Sequence, residues 1–363
     1  MKYQHVENVP NINSWEIIDN NCYYASGNLV KVIGKEVSIP IPLPYWGVEF
    51  NPSFFNVFTN RSVNTFFNYQ GKVINTFEEK DFYYYFSDSS FIYYDRVSKR
   101  LMYNDLELLR GKMLSFYIFD DLLFFEKENK IQTINFLSGQ FLWEFSLASL
   151  GKWKNSWDEE RFFEVYKLIG IYNNIFWAFI EIGGFIGLDI KTGELKYRIS
   201  EYHMGKESKL FFRSDYYLDN ERGKIFGLAH IFIEIDLNQA PPFVTQYGLQ
   251  EEFEKYNIKK ANDTAEDFVV QDNLLYFYLA EQLRFGLLDI NTKEIIYVSE
   301  PIAVVEREDC FTQLKDLKVS ENKVYILDSN NTLHIFEREK LNFELGTSCK
   351  LAPAGEAKSY YRN

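Results

Sequence analysis

The stretch Asp189-Ile190-Lys191-Thr192-Gly193-Glu194-Leu195-Lys196-Tyr197 decides the fold, because its plan returns at fixed offsets elsewhere in the chain. Asp189 is followed by Thr192 at +3, Gly193 at +4 and Tyr197 at +8; Asn135 is followed by Ser138, Gly139 and Trp143 at the same offsets. Asp95 leads likewise to Ser98, Lys99 and Tyr103, and Asp289 to Thr292, Lys293 and Tyr297. Each copy follows an apolar run, so it reads as strand, polar turn, strand. Asp or Asn accepts backbone N–H bonds across such a turn, Ser or Thr adds another acceptor, and Gly tolerates positive φ at the tightest point. The aromatic then falls on a strand, where it fills space between sheets.

Weaker copies occupy the intervals. Asp236 follows the run Ile231 to Ile235, Phe336 follows Leu333 to Ile335, and Leu29 to Ile33 leads into Gly34-Lys35 and a strand from Val37 to Ile41. Anchors at 33, 95, 135, 189, 236, 289 and 336 give seven units of about 50 residues, the spacing of propeller blades. Further hairpins precede the anchors, such as Phe82 to Phe86 with Phe91 to Tyr94, and Asp267 to Val270 with Leu274 to Leu279. The expected fold is all-β: a β-propeller of seven four-stranded blades, with six or eight also compatible. It forms one domain over residues 1–345, with 346–363 as a tail or closing strand. Few stretches have helical period, the best being Leu249, Phe253 and Tyr256.

The cassette resembles the quinoprotein-like β-propeller repeat, whose consensus is A-x-D-x-x-T-G-K-x-x-W. Asp189 to Tyr197 carries the resemblance best, and Leu137 to Trp143 keeps the Trp. The aromatic is mostly Tyr here, and the small residue two before the Asp is replaced by Tyr93, Thr133 and Leu287. The resemblance implies a fold and carries no activity, because the motif packs blades together. Quinone-dependent dehydrogenases of this type are exported and often carry an adjacent cysteine pair. Cys22, Cys310 and Cys349 are dispersed, and the start MKYQHVENVP has no apolar signal core.

The 363 residues include 34 Phe, 26 Tyr and 6 Trp against 19 Gly and 9 Pro, which excludes collagen-like and disordered classes. A formal charge of −13 repels phosphate backbones and excludes non-specific nucleic-acid binding. No apolar run is long enough to span a membrane. A monomer in a reducing cytoplasm is expected, with no cofactor.

His5, His203, His230 and His334 are too scattered for a zinc motif, and His230 reads as a strand residue. Gly183-Gly184-Phe185-Ile186-Gly187 lacks the spacing and the following helix of a dinucleotide loop, so it reads as a hairpin turn. Asp120-Asp121 reads as the turn between Phe116 to Phe119 and Leu122 to Phe125. No catalytic, cofactor-binding or metal residue is assigned.

The remaining candidates lie in the connections between units. If the cassettes are outer hairpins, the connections Leu43 to Phe50, Leu106 to Lys112, Leu147 to Arg161, Glu201 to Lys209, Pro241 to Asp263 and Glu300 to Phe311 emerge on the opposite rim. They carry Trp46, Trp153, Trp157, Asp158, Glu159, Glu160, Glu251, Glu252, Glu254, Glu306, Glu308 and Asp309. Aromatics flanked by carboxylates suit recognition of a basic protein. The expected function is therefore non-enzymatic binding of a basic partner, with a toxin-neutralising immunity protein as one concrete form. The alternative is a propeller enzyme acting on a carbohydrate or other small molecule through paired carboxylates.

Overall fold

Strand and turn alternate along the chain as the repeat requires, and a computed structural model assembles them into a β-propeller. It describes residues 2–339 apart from 61–62, 88–89, 112–114, 155–156, 205, 259–263 and 304–311. Eight four-stranded antiparallel sheets follow one another, spanning 14–40, 47–78, 80–110, 116–146, 165–199, 217–248 and 264–298, with the eighth built from both ends of the chain. We number them sheets 1 to 8. In sheet 8 the strands Leu314–Ser320, Lys323–Asp328 and Leu333–Arg338 are completed by Tyr3–Val9, which pairs antiparallel with Leu333–Arg338 and closes the ring. First strands touch the first strands of neighbouring sheets, so they surround the axis and fourth strands lie outermost.

The sheets are covered on both faces, which explains why several strands read as unbroken apolar runs. Ile175–Ile180 and Gly184–Asp189 are buried along almost their whole length. Apolar clusters fill the space between successive sheets, for example Phe124, Trp143, Phe176 and Leu188 between sheets 4 and 5. Sheets 2 and 3 meet instead through the rings of Phe66, Phe77, Phe82 and Phe91.

The count of blades is eight where the anchors suggest seven. The interval from 33 to 95 holds two sheets, and the missed anchor is Asn68, whose Oδ1 accepts the amides of Gln70 and Lys72 at 3.1 and 2.9 Å. Its turn has Gly71 at +3 and Phe77 at +9, so the glycine comes one place early and the aromatic one place late. The four strong copies are also not equivalent. Those at Asn135, Asp189 and Asp289 join third to fourth strands, whereas the Asp95 copy joins Ser90–Asp95 to Arg100–Tyr103, the second and third strands of sheet 3. In an up-and-down sheet that turn opens at the opposite end.

Several hairpins match their sequence reading. Asp120-Asp121 links Phe116–Phe119 to Leu122–Lys127, and Gly183 ends the link from Ile175–Ile180 into Gly184–Asp189. Other expectations are corrected. Leu106–Arg110 is the outer strand of sheet 3, Gly47–Phe50 the inner strand of sheet 2, and Phe243–Gly248 the outer strand of sheet 6; none is a free connection. His230 lies exposed in a turn between Lys224–Leu228 and Ile231–Asp236, because the apolar run around it bends there.

Candidate functional site

An antiparallel sheet of four strands returns the chain to the end opposite its last turn, so every sheet-to-sheet connection leaves at one end of the ring. The turns joining third to fourth strands lie at the other end. These connections are very unequal. Those preceding sheets 1, 2, 3 and 4 have 4, 6, 1 and 5 residues, whereas those preceding sheets 5, 6, 7 and 8 have 18, 17, 15 and 15. Four consecutive long connections therefore leave from one half of that end of the ring.

Each long connection is pinned into the core beneath it. In 147–164, Leu147, Leu150 and Phe163 are buried, and a hairpin pairs Lys152–Lys154 with Glu160–Phe162. In 200–216, Tyr202, Phe211 and Tyr216 are buried beside the hairpin Glu201–Met204 and Glu207–Leu210. In 249–263 Leu249 and Phe253 are completely buried, and the helical period read there is realised as the short helix Gln250–Glu254, with Leu249 just before it and Tyr256 just beyond. Ile302 anchors the start of 299–313. Such anchoring pre-organises a surface and lowers the ordering cost of binding.

The connections distribute the sequence candidates as follows. Trp46 is 71 % exposed but sits on the other half of the rim, between sheets 1 and 2. Trp153 is half-buried, with its indole packed between sheets 4 and 5, while Trp157 at the hairpin tip is 78 % exposed. Asp158, Glu159 and Glu160 are paired within the same hairpin, with Lys154 at 2.8 Å, Arg161 at 3.0 Å and Lys152 at 3.0 Å. Glu251 and Glu254 are exposed on the helix, and Glu254 accepts a bond from Gln250. Glu252 accepts from Lys255 and from the amide of Ile295, so it ties the helix to sheet 7. Glu306, Glu308 and Asp309 lie outside the described residues.

A groove of about 410 Å³ opens between sheets 7 and 8 beside residues 299–303, at the same end of the ring. Its walls include Tyr3, His5, Tyr297 and Phe336, with Glu300 and His334 among its polar groups. Sequence reasoning missed this site because its walls come from opposite ends of the chain. One local signal existed: Asp328 closes a strand and His334 follows six residues later, just past the turn. Asp328 Oδ1 accepts the amides of Asn330 at 2.8 Å and Thr332 at 2.9 Å. His334 Nε2 donates to Asp328 Oδ2 at 2.9 Å, and both side chains are almost wholly buried.

Burial pushes the Asp328 pKa up, but the bonds from His334 and from the two amides outweigh it and hold the carboxyl below its ordinary value. A carboxyl with a depressed native pKa stabilises fully above its unfolded value of about 3.9 and loses that contribution as pH falls through the lower native value. Asp328→Asn should therefore cost about 1.5 kcal/mol at neutral pH. In denaturant titrations the gap from the parent chain should close in acid; a gap that widens below the carboxylate range would contradict the assignment.

Among the described residues no group of three or more His, Cys, Asp or Glu could hold a metal ion, and no helix is long and apolar enough to cross a membrane.

No protein-family model matches the sequence, and no curated protein matches it. Solved structures do. The chain is similar to BamB from Moraxella catarrhalis, with TM-score 0.58 at 10% identity over 93% of this chain and 100% of that one. It is similar to Saccharomyces cerevisiae Sqt1, with TM-score 0.59 at 10% identity over 93% and 99% of the two chains. A computationally designed protein, Ika8, also superposes, with TM-score 0.52 at 11% identity over 92% and 98%. The resemblance to the quinoprotein-like propellers thus holds at the level of fold.

Proposed function

We propose that this chain is a non-enzymatic, protein-binding propeller that recognises a basic partner in the cytoplasm through its four long connections. The observation that carries the reading is their placement: they are consecutive, lie at one end of the ring and are individually anchored. Together they hold fifteen acidic and ten basic residues. Most of their ion pairs in the hairpin 152–162 are solvent-exposed. Exposed pairs are worth about 0–1 kcal/mol, so a cationic partner can exchange for the internal lysines at little cost. Trp157 supplies the large amphipathic side chain that interface centres favour. A cationic nucleic-acid-cleaving toxin would be one such partner, with this chain as its immunity protein; the negative field would steer their association.

Affinity capture from native lysate should recover a stoichiometric basic protein whose retention falls with salt. Trp157→Ala should weaken that complex about thirtyfold while leaving thermal stability unchanged, as expected for an interface anchor. If no stoichiometric partner is recovered, or if Trp157→Ala binds as the parent chain does, the reading fails.

A further inference from the structure

We propose that the groove between sheets 7 and 8 is a pocket for an arginine side chain of the partner. The identification of the partner rests on the reading above; the pocket itself does not. The groove is walled by the rings of Tyr3, His5, Tyr297 and Phe336, and Tyr3 and Tyr297 meet at a centroid distance of 5.4 Å. Among the described residues no Lys or Arg lines it, and Glu300 brings an exposed carboxylate to its wall.

Two imidazoles, of His5 and His334, also line the groove. Asp328 is an ionised carboxylate and can only accept, so the His334 proton that meets it is on Nε2, not Nδ1. That buried Nδ1 has no hydrogen-bond partner. His5 Nε2 bonds Asn8 Oδ1 at 2.8 Å. Aromatic rings favour a cation, and the Glu300 carboxylate favours a ligand that donates to it. The guanidinium meets both demands: it is planar, stacks on rings, offers five N–H donors and binds a carboxylate through two of them. A lysine ammonium would satisfy Glu300 but stack poorly on the rings. The volume falls within the roughly 300–1,000 Å³ of side-chain and small-ligand clefts. The groove opens beside the fourth long connection, so an arginine entering it would come from a protein seated on that half of the rim.

The test uses the full chain and isolated probes: N-acetyl-arginine methylamide, its lysine counterpart and its uncharged citrulline isostere, titrated calorimetrically. Arginine should bind about tenfold more tightly than citrulline, with lysine between them. Glu300→Gln should reduce arginine to the citrulline level without changing citrulline binding, and Tyr297→Leu should weaken arginine about fivefold or more. Equal affinity for arginine and citrulline, no saturation by arginine, or an unchanged arginine affinity in Glu300→Gln would overturn the proposal. Because no partner protein is present, these outcomes are independent of lysate capture. A partner captured through Trp157 with no arginine binding would sink the pocket and leave the binding face standing.

Discussion

Trp143→Ala should lower the unfolding free energy by about 4 kcal/mol, in the middle of the range that core aromatic truncation costs. Trp143 is the +8 aromatic of the Asn135 copy, on the outer strand of sheet 4, and is 5 % exposed. Its indole N–H donates to the carbonyl of Ile190 at 2.8 Å. The ring lies against Gly193, where an added Cβ would sit 2.6 Å from it, and meets Phe124 edge-on at 5.9 Å. Ile190 and Gly193 belong to the next copy, so the aromatic of one cassette docks on the glycine of the following one. Truncation opens a cavity between sheets 4 and 5 and strips the Ile190 carbonyl of its partner. The reciprocal variant Gly193→Ala combines a positive φ of 71° with a clash against the indole and should also destabilise. The double variant should cost less than the sum, since removing Trp143 makes room for the Cβ. Urea denaturation measures all three. A cost below about 1 kcal/mol for Trp143→Ala would reduce the cassette aromatic to a surface residue.

Glu234→Ala should cost about 3 kcal/mol at neutral pH, because it strands two cations in a largely buried position. Glu234 lies on the third strand of sheet 6 and is 8 % exposed. It accepts from Lys224 at 2.6 Å and from Lys293, whose ammonium also sits over the rings of Phe232 and Tyr247. Lys293 is the +4 residue of the Asp289 copy in sheet 7, where the best copy has Gly193. In this position it reaches back to sheet 6 and binds two blades together. Burial raises the Glu234 pKa, but the two lysines more than offset that and hold it below the ordinary carboxylate value. Its contribution is therefore complete above the unfolded value of about 4.3 and is lost as pH falls through the native one. Replacing Glu234, Lys224 and Lys293 together by apolar residues should restore most of the stability. If the single variant is as stable as the parent chain at pH 7, the triad is not a structural clamp.

These two clamps separate what can be read locally from what cannot. Trp143 was visible from its offset alone, since an Asp or Asn, a Ser or Thr and a following aromatic state their turn chemistry within nine residues. The partner of Lys293 was not visible, because Glu234 lies 59 residues earlier and reaches it only when two sheets pack face to face. The same division runs through the candidate site. Trp157 and the acidic residues could be named from sequence, but not that Asp158, Glu159 and Glu160 would be occupied by their own hairpin. The groove was illegible, since Tyr3 and Tyr297 become neighbours only after the ring has closed.

By itself, then, the sequence determined the all-β architecture, most of the hairpins and the helical turn at Phe253, because each depends on residues close along the chain. It left the blade number open, since Asn68 shifts its glycine and aromatic by one place and so escapes a fixed-offset reading. The tertiary structure alone decided that there are eight sheets, that Tyr3–Val9 completes the last of them, and that the long connections gather on half of one rim. Ring closure is the reason. It pairs strands more than 300 residues apart, and such pairing is fixed by the fit of whole sheets around an axis, for which no short stretch of sequence carries a signal.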